Sequence, residues 1–354
     1  MTKNKYQSLL SQLYYGRKLA LQIMKRKVHL MPRNFPLRVE CNVTARCNLE
    51  CKHCYVSSKS NISKDPSLDK IKNLIDEVYN RGCRWFRVMG GEPLLRDDIG
   101  DIINYAKNKG MYIEIATNGL LIEKRIEELK NVDTFVISLD GNEETHDRLR
   151  GKGTYKKTIA GLNAAIENGL RPRLHAVLTP LTVSSLNDMI KLSKKYNINI
   201  NFGEAAGGKE WEKEHKFFNE DNLISYYKQY REYKKQGVNI SNTYTAIDYI
   251  MKWPWKDKRT IYQGDKELLE KNNFKIIPCM MGRLSTFIDA DGGVYPCPKL
   301  WGKGLNCYEH GFDKAWEHLN NLKCISCREI GCVDVSLILI GNIPALIKGA
   351  FRFA

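Results

Sequence analysis

The 354-residue sequence contains no run of 18 or more apolar residues, so no helix in it is expected to span a bilayer. It has no low-complexity tract and no internal repeat, which argues against fibrous and solenoid architectures. The N-terminus, Met1 to Tyr6, lacks the uninterrupted apolar stretch and small-residue cleavage site of a secretory signal. Acidic side chains are scarce. The chain has 40 Asp and Glu against 56 Lys and Arg, a net charge of +16, and residues 1–38 hold nine basic residues and no acid. That balance suits acidic partners, or a solvated basic surface. No recognisable binding module accompanies the charge, so a nucleic-acid partner is not expected. The chain has eleven cysteines. With no secretory signal, a disulfide framework is not expected; clustered cysteines in a reducing compartment read as metal ligands, and the expected location is cytoplasmic.

Along the chain, Leu9, Leu10, Leu13, Ala20, Leu21, Met24 and Val28 recur at helical spacing, so residues 1–37 are expected to form basic amphipathic helices. From residue 37, strand and helix patterns alternate. Strands are expected at Leu37–Val43, Trp85–Met89, Tyr112–Ala116, Thr134–Leu139, Arg173–Leu178 and Ile198–Phe202. The intervening helices are expected at 69–81, 98–109, 122–129, 155–168 and 186–196. This alternation implies an α/β fold with a parallel sheet and right-handed crossovers, a partial (β/α)6 barrel of the TIM type, with its chemistry at the C-terminal strand ends. The expected domains are 1–37 (N-terminal helices), 38–235 (barrel), 236–334 (linker and cysteine-rich module) and 335–354 (an apolar segment). The last is broken by Gly341, Asn342 and Pro344, so it would pack on the barrel or touch a membrane surface.

Cys47, Cys51 and Cys54 fall in the loop after the first expected strand. Three thiolates within eight residues suit an iron–sulfur cluster with one iron left open; a zinc site with His53 as fourth ligand and buried free cysteines are the alternatives at this point. Gly90-Gly91-Glu92-Pro93 follows the second strand, Thr117-Asn118-Gly119 the third, and Ser138-Leu139-Asp140-Gly141 the fourth, with His146 to Gly151 continuing it. In this order, these segments resemble the radical S-adenosylmethionine (SAM) superfamily over roughly residues 38–205.

The resemblance implies that Cys47, Cys51 and Cys54 hold a 4Fe–4S cluster whose open iron chelates SAM. It implies further SAM contacts from His53, Gly90, Gly91, Glu92, Pro93, Asn118, Ser138, Asp140 and Arg150. Glu92 would accept from the SAM ammonium, Ser138 and Asp140 would reach the ribose, and Arg150 would pair with the carboxylate. The implied reaction is one-electron cleavage of the sulfonium, giving a 5′-deoxyadenosyl radical that abstracts a substrate hydrogen. The electron would come from an external flavodoxin- or ferredoxin-type reductant. No catalytic side chain beyond these is assigned from the sequence.

A second cysteine group follows. Cys279 and Cys297 flank a hairpin signal at Asp291-Gly292, Cys324 and Cys327 form a C-x2-C, and Cys307 and Cys332 are left over. The arrangement resembles the SPASM/Twitch modules appended to many radical SAM enzymes. That implies an auxiliary 4Fe–4S cluster on Cys279, Cys297, Cys324 and Cys327, with a four-cysteine zinc site as the alternative. Cys41 and Cys83 read as packing residues. Pro298 follows Cys297 where some peptide-modifying relatives carry an aspartate base, which counts against a sulfatase-maturase-like reading. The substrate is not legible. A lipid at an anionic membrane surface, a ribosomal peptide and a tetrapyrrole all remain open, as does the other class of a non-catalytic electron-transfer protein. Glu204 at the end of the last strand is a candidate substrate contact.

Overall fold

A computed structural model describes Leu21 and residues 35–56, 65–204, 220–256, 258–302 and 304–342. Six strands, β1 (Arg38–Asn42), β2 (Trp85–Met89), β3 (Tyr112–Thr117), β4 (Thr134–Ser138), β5 (Pro172–Leu178) and β6 (Ile200–Glu204), lie side by side in sequence order, all parallel. Helices α1 (Leu68–Asn80), α2 (Ile99–Asn108), α3 (Glu143–Arg150), α4 (Thr154–Glu167), α5 (Pro180–Ser184) and α6 (Leu186–Tyr196) fill the crossovers. This is the partial barrel expected from the strand–helix rhythm.

The strands alternate with period two, and the alternation places apolar side chains under the helices and polar ones inside the barrel. In β1, Val39 and Cys41 join the core while Arg38 and Glu40 face the interior; in β2, Phe86 and Val88 join the core while Arg87 faces inward. Helix α1 shows the complementary logic. Ser67 caps it by accepting from Lys70 N–H, and Ile71, Leu74, Ile75 and Val78 bury one stripe against the sheet.

One expected crossover helix differs. Residues 122–129 form only a 3-10 turn at Glu123–Arg125, with i→i+3 bonds from Arg125 to Ile122 and from Leu129 to Ile126. A 3-10 turn rises about 2.0 Å per residue against 1.5 Å in an α-helix, so a short connection spans the sheet more easily this way.

Beyond β6 the chain forms α7 (Glu220–Lys235), α8 (Tyr244–Met251), β7 (Thr260–Tyr262) and α9 (Lys266–Asn272). Trp253 and Trp255 pack edge-to-face, 5.0 Å between centroids, over Phe274. The chain then returns to the sheet: β8 (Ser285–Ile288) pairs in parallel with β1, and β9 (Gly293–Tyr295) and β10 (Leu305–Asn306) extend it antiparallel to nine strands. Short helices α10 (Cys307–His310) and α11 (Phe312–Glu317), then β11 (Cys324–Cys327) against β7, lead to α12 (Ile330–Leu339). The boundary expected at residue 334/335 therefore falls inside a helix. Ile330 and Val333 before that boundary, and Leu337, Ile338 and Leu339 after it, are all buried, so the apolar stretch begins as core rather than as a separate segment. The expected N-terminal helices and residues 343–354 lie outside the described residues, apart from Leu21, which is helical and exposed. Among the described residues, no helix is long and apolar enough to cross a membrane.

Candidate active site

A cavity of about 360 Å³ opens at the C-terminal ends of the strands, between the barrel interior and the C-terminal cysteines. Cys47, Cys51 and Cys54 all line it; Cys47 is exposed and the other two are half-buried. The loop carrying them is pinned from below by the β2 exit. Gly91 N–H donates to Thr44 O at 2.9 Å and Glu92 N–H to Arg46 O at 2.8 Å. A Cβ on Gly90 would sit 2.4 Å from Thr44 O, and one on Gly91 would sit 2.2 Å from Arg46 O. The glycine pair is thus required by the approach of the cysteine loop itself, in addition to any ligand. Both glycines also line the cavity.

Glu92 departs from the expectation. It is fully buried, and its carboxylate accepts from Leu94 N–H (3.0 Å), Thr117 Oγ1 (2.8 Å) and Asn118 N–H (2.7 Å). Those bonds tie the second strand end to the third and leave the carboxylate turned into the protein, so Glu92 acts as a brace. Burial pushes the carboxyl up to about 7 despite these donors. Pro93 opens a buried 3-10 turn behind it. Asn118 faces the cavity, with its Nδ2 donating to Asn48 Oδ1 at 2.7 Å, and Ser138 lines it too.

Asp140 is the second departure. It is fully buried, accepting from Arg150 Nε at 2.6 Å and Val177 N–H at 2.8 Å, with His53 Nε2 3.4 Å away. His146 Nδ1 accepts from Asp140 N–H at 3.1 Å and fixes the turn. Asp140 therefore positions Arg150 and has no oxygen turned to the cavity. Arg150 and His53 both line the cavity, and one Arg150 nitrogen lies 3.9 Å from Cys51 Sγ. Burial holds the His53 imidazole down near 4, so it is neutral at physiological pH.

The second cysteine group is gathered as well, with one addition. Thiol contacts link Cys324 to Cys279, Cys279 to Cys327, Cys327 to Cys332, and Cys332 to Cys297. Cys332, read from the sequence as a spare, sits in the first turn of α12 and joins this set. The signal was present in the spacing Cys327-x4-Cys332. Cys297 and Cys332 also line the cavity that holds Cys47, Cys51 and Cys54. Cys307 is elsewhere, buried near Cys41, while Cys41 and Cys83 are core residues.

The donor chemistry fits iron–sulfur groups at both places: two sets of thiols, soft ligands, face one cavity. Burial pushes the Cys47 thiol up to about 11 and raises Cys51, a balance that ligation reverses because a coordinating thiol is deprotonated outright. Among the described residues, no three His, Cys, Asp or Glu side chains are already closed on a point that would hold a single metal ion.

Sequence reasoning missed the polar barrel interior. Arg38 and Arg87 reach Glu40 at 2.6 and 2.7 Å, and Arg87 and Arg173 reach Glu114 at 2.9 and 2.8 Å, forming a buried ladder across β1, β2, β3 and β5. Lys299 is ion-paired with Glu329 beside Glu204, and all three face the cavity.

A parallel half-barrel with a three-cysteine loop after its first strand and a second thiol group across one cavity defines an iron–sulfur enzyme of the SAM-cleaving kind. Residues 41–193 match the family model described as Radical SAM superfamily, so this part of the chain is a radical SAM domain. It is similar to the AdoMet-dependent heme synthase of Methanosarcina barkeri, 26% identical over 80% of this chain and 83% of that protein. Similarity to the mycofactocin maturase MftC of Mycolicibacterium smegmatis is 24% over 80% of this chain and 70% of that one. In fold it resembles Streptococcus suis SuiB, solved with the precursor peptide SuiA. There the TM-score is 0.63 at 18% identity, covering 83% of this chain and 67% of SuiB. The chain therefore carries a radical SAM domain, of the family that uses a 4Fe–4S cluster and SAM, and has homologues among radical SAM maturases.

Proposed function

We propose that Cys47, Cys51 and Cys54 hold the SAM-binding 4Fe–4S cluster, and that Cys279, Cys297, Cys327 and either Cys324 or Cys332 hold an auxiliary one. When bound, the cluster and SAM supply one-electron sulfonium cleavage and hydrogen abstraction from a substrate carbon. The chain's own residues do the positioning. Gly90, Gly91, Asn118, Ser138, His53 and Arg150 face the space beside the cysteine loop, and Glu92 and Asp140 hold those groups in place from behind. The observation that carries the reading is the single cavity lined by thiols of both groups. The substrate is read as a larger molecule, of peptide or tetrapyrrole type, altered at one carbon in that cavity, in keeping with the names of the relatives. A flavodoxin- or ferredoxin-type protein is the proposed electron donor. Anaerobically reconstituted protein should carry about eight irons, falling to about four when Cys47, Cys51 and Cys54 are all changed to Ala. With dithionite it should release 5′-deoxyadenosine, and Cys51→Ala should not. Four irons with stoichiometric zinc in the wild type would leave the first cluster and refute the second.

A lipid or lipid-linked substrate is the second reading, favoured by the acid-free basic segment before residue 39. Its other motivation is reduced, because residues 335–339 are part of the packed helix α12.

A further inference from the structure

Glu204 closes β6 at the barrel mouth, and the fold buries its carboxyl in the cavity wall without a hydrogen bond. The side chain is 4% exposed, and neither Oε1 nor Oε2 has a hydrogen-bond partner. Arg259 is the cation beside it, 3.4 Å from Oε2 but not in hydrogen-bonding geometry. On the other side, Glu204 N–H donates to Glu329 Oε1 at 3.3 Å, and the Glu329 carboxylate is ion-paired with Lys299. If Glu204 served only to anchor Arg259, its two oxygens would be spent on that guanidinium. A buried polar group left unsatisfied costs stability, so its retention calls for a ligand or a water in that place.

The charges of the corner narrow the ligand. Two carboxyls, Glu204 and Glu329, stand among three cations, Lys299, Arg259 and Arg328, so the site does not favour a further cation, while a carboxyl without a hydrogen-bond partner calls for a hydrogen-bond donor. We propose that Glu204 is a substrate-binding residue that takes an uncharged N–H or O–H group, of amide or hydroxyl type, on the wall shared by β6 and the cysteine module. This rests on the reading of the cavity as the reaction chamber. Burial, and after it the charge of Glu329, raise the Glu204 carboxyl, which favours the neutral acid, able both to donate and to accept.

The test uses full-length, anaerobically reconstituted protein and ligand-observed saturation-transfer NMR with three probes: N-methylacetamide, methylammonium and acetate. N-methylacetamide should bind in preference to both ions. Glu204→Gln, which keeps a donor and an acceptor, should hold that binding within about twofold, and Glu204→Leu should weaken it about tenfold. Preferential binding of methylammonium that Glu204→Gln abolishes would overturn the proposal, because it would make Glu204 an anionic site. Equal N-methylacetamide binding by wild type and Glu204→Leu, or no binding by the wild type, would overturn it too. The comparison of the three probes in the wild type stands even if a variant fails to fold. Absence of 5′-deoxyadenosine release from the wild type would instead refute the radical reading, and the two failures are read in separate measurements.

Discussion

Replacing Arg150 with Met keeps the length of the side chain and removes its charge. Arg150 is 8% exposed, and its Nε donates to the fully buried Asp140 at 2.6 Å. In the variant, Asp140 keeps the bond from Val177 N–H and the nearby neutral His53, but no cation. Breaking a buried pair from one side leaves an uncompensated charge and costs about 3–5 kcal/mol. The titration of Asp140 gives a second, independent magnitude. Burial raises its carboxyl, but the charge of Arg150, then that of His53 once it protonates below about pH 4, and the hydrogen bonds from Arg150 and Val177 outweigh it and bring it from 3.8 to about 2. A depressed folded pKa means stability that is present above the unfolded value, near pH 3.8, and lost as pH falls through about 2. That shift corresponds to about 2 kcal/mol, consistent with the lower end of the pair-breaking figure once the desolvation of an orphaned carboxylate is added. Urea unfolding of the cluster-free protein under reducing conditions at pH 7 measures the loss. Adding Asp140→Asn to Arg150→Met removes the orphaned charge and should recover about 2 kcal/mol. A loss below about 1 kcal/mol in the single variant, or a double variant no more stable than the single, would refute the role assigned to this pair.

Three further outcomes are expected. Glu92→Ala should destabilise the apo fold by about 2 kcal/mol, because it strands the buried Asn118 and Leu94 N–H groups; a fold of unchanged stability with weakened SAM binding would restore Glu92 as a direct SAM contact. Cys332→Ala and Cys324→Ala, each in a background lacking Cys47, Cys51 and Cys54, should differ in iron content, the true ligand losing most of its roughly four irons. Identical retention of iron in both would leave neither as a ligand. If the lipid reading holds, full-length protein should sediment with anionic vesicles at low salt and release as salt shortens the Debye length below about 8 Å, and deletion of residues 1–31 should abolish binding. No binding, or binding unaffected by the deletion, would dismiss it.

The parallel strands and the cysteine loop were legible because their signals are local. Trp85–Met89 and Leu186–Tyr196 carry apolar periodicity long enough to be read, and the structure places both within the same bounds. Helix α3 was missed because it carries only one strongly apolar residue, Leu149. Its evidence lay in the Asn142 cap, with Glu143 and Glu144 in the first turn and Arg148 and Arg150 in the last. That helix delivers His146 and Arg150 to the site. The roles of Glu92 and Asp140 were not legible, because whether a carboxylate meets a ligand or the backbone depends on donors such as Asn118 N–H and Val177 N–H that come from other strands. Cys332 reads from the sequence as left over, yet its helix carries it to Cys297 from 35 residues away in sequence.

The two thiol groups are joined through the sheet rather than by a tether. Strand β8 pairs with β1 from Arg38↔Ser285 to Cys41↔Ile288, and at the exit Asn42 Nδ2 donates to Asp289 Oδ1 at 2.9 Å. The loop bearing Cys47, Cys51 and Cys54 leaves β1 just there, and β9, two residues before Cys297, is bonded to β8. The relative position of Cys297 and the cysteine loop is thus set by adjacent backbone ladders, whose spacing cannot drift without breaking several hydrogen bonds together. Strand β8 also covers the edge of β1, which would otherwise present unpaired N–H and C=O groups on a fully buried strand. A cysteine module read from sequence as an appendage is in this chain a wall of the barrel. The cavity between the thiol groups, with Glu204 and Lys299 in it, is consequently a fixed space formed within a single folded unit.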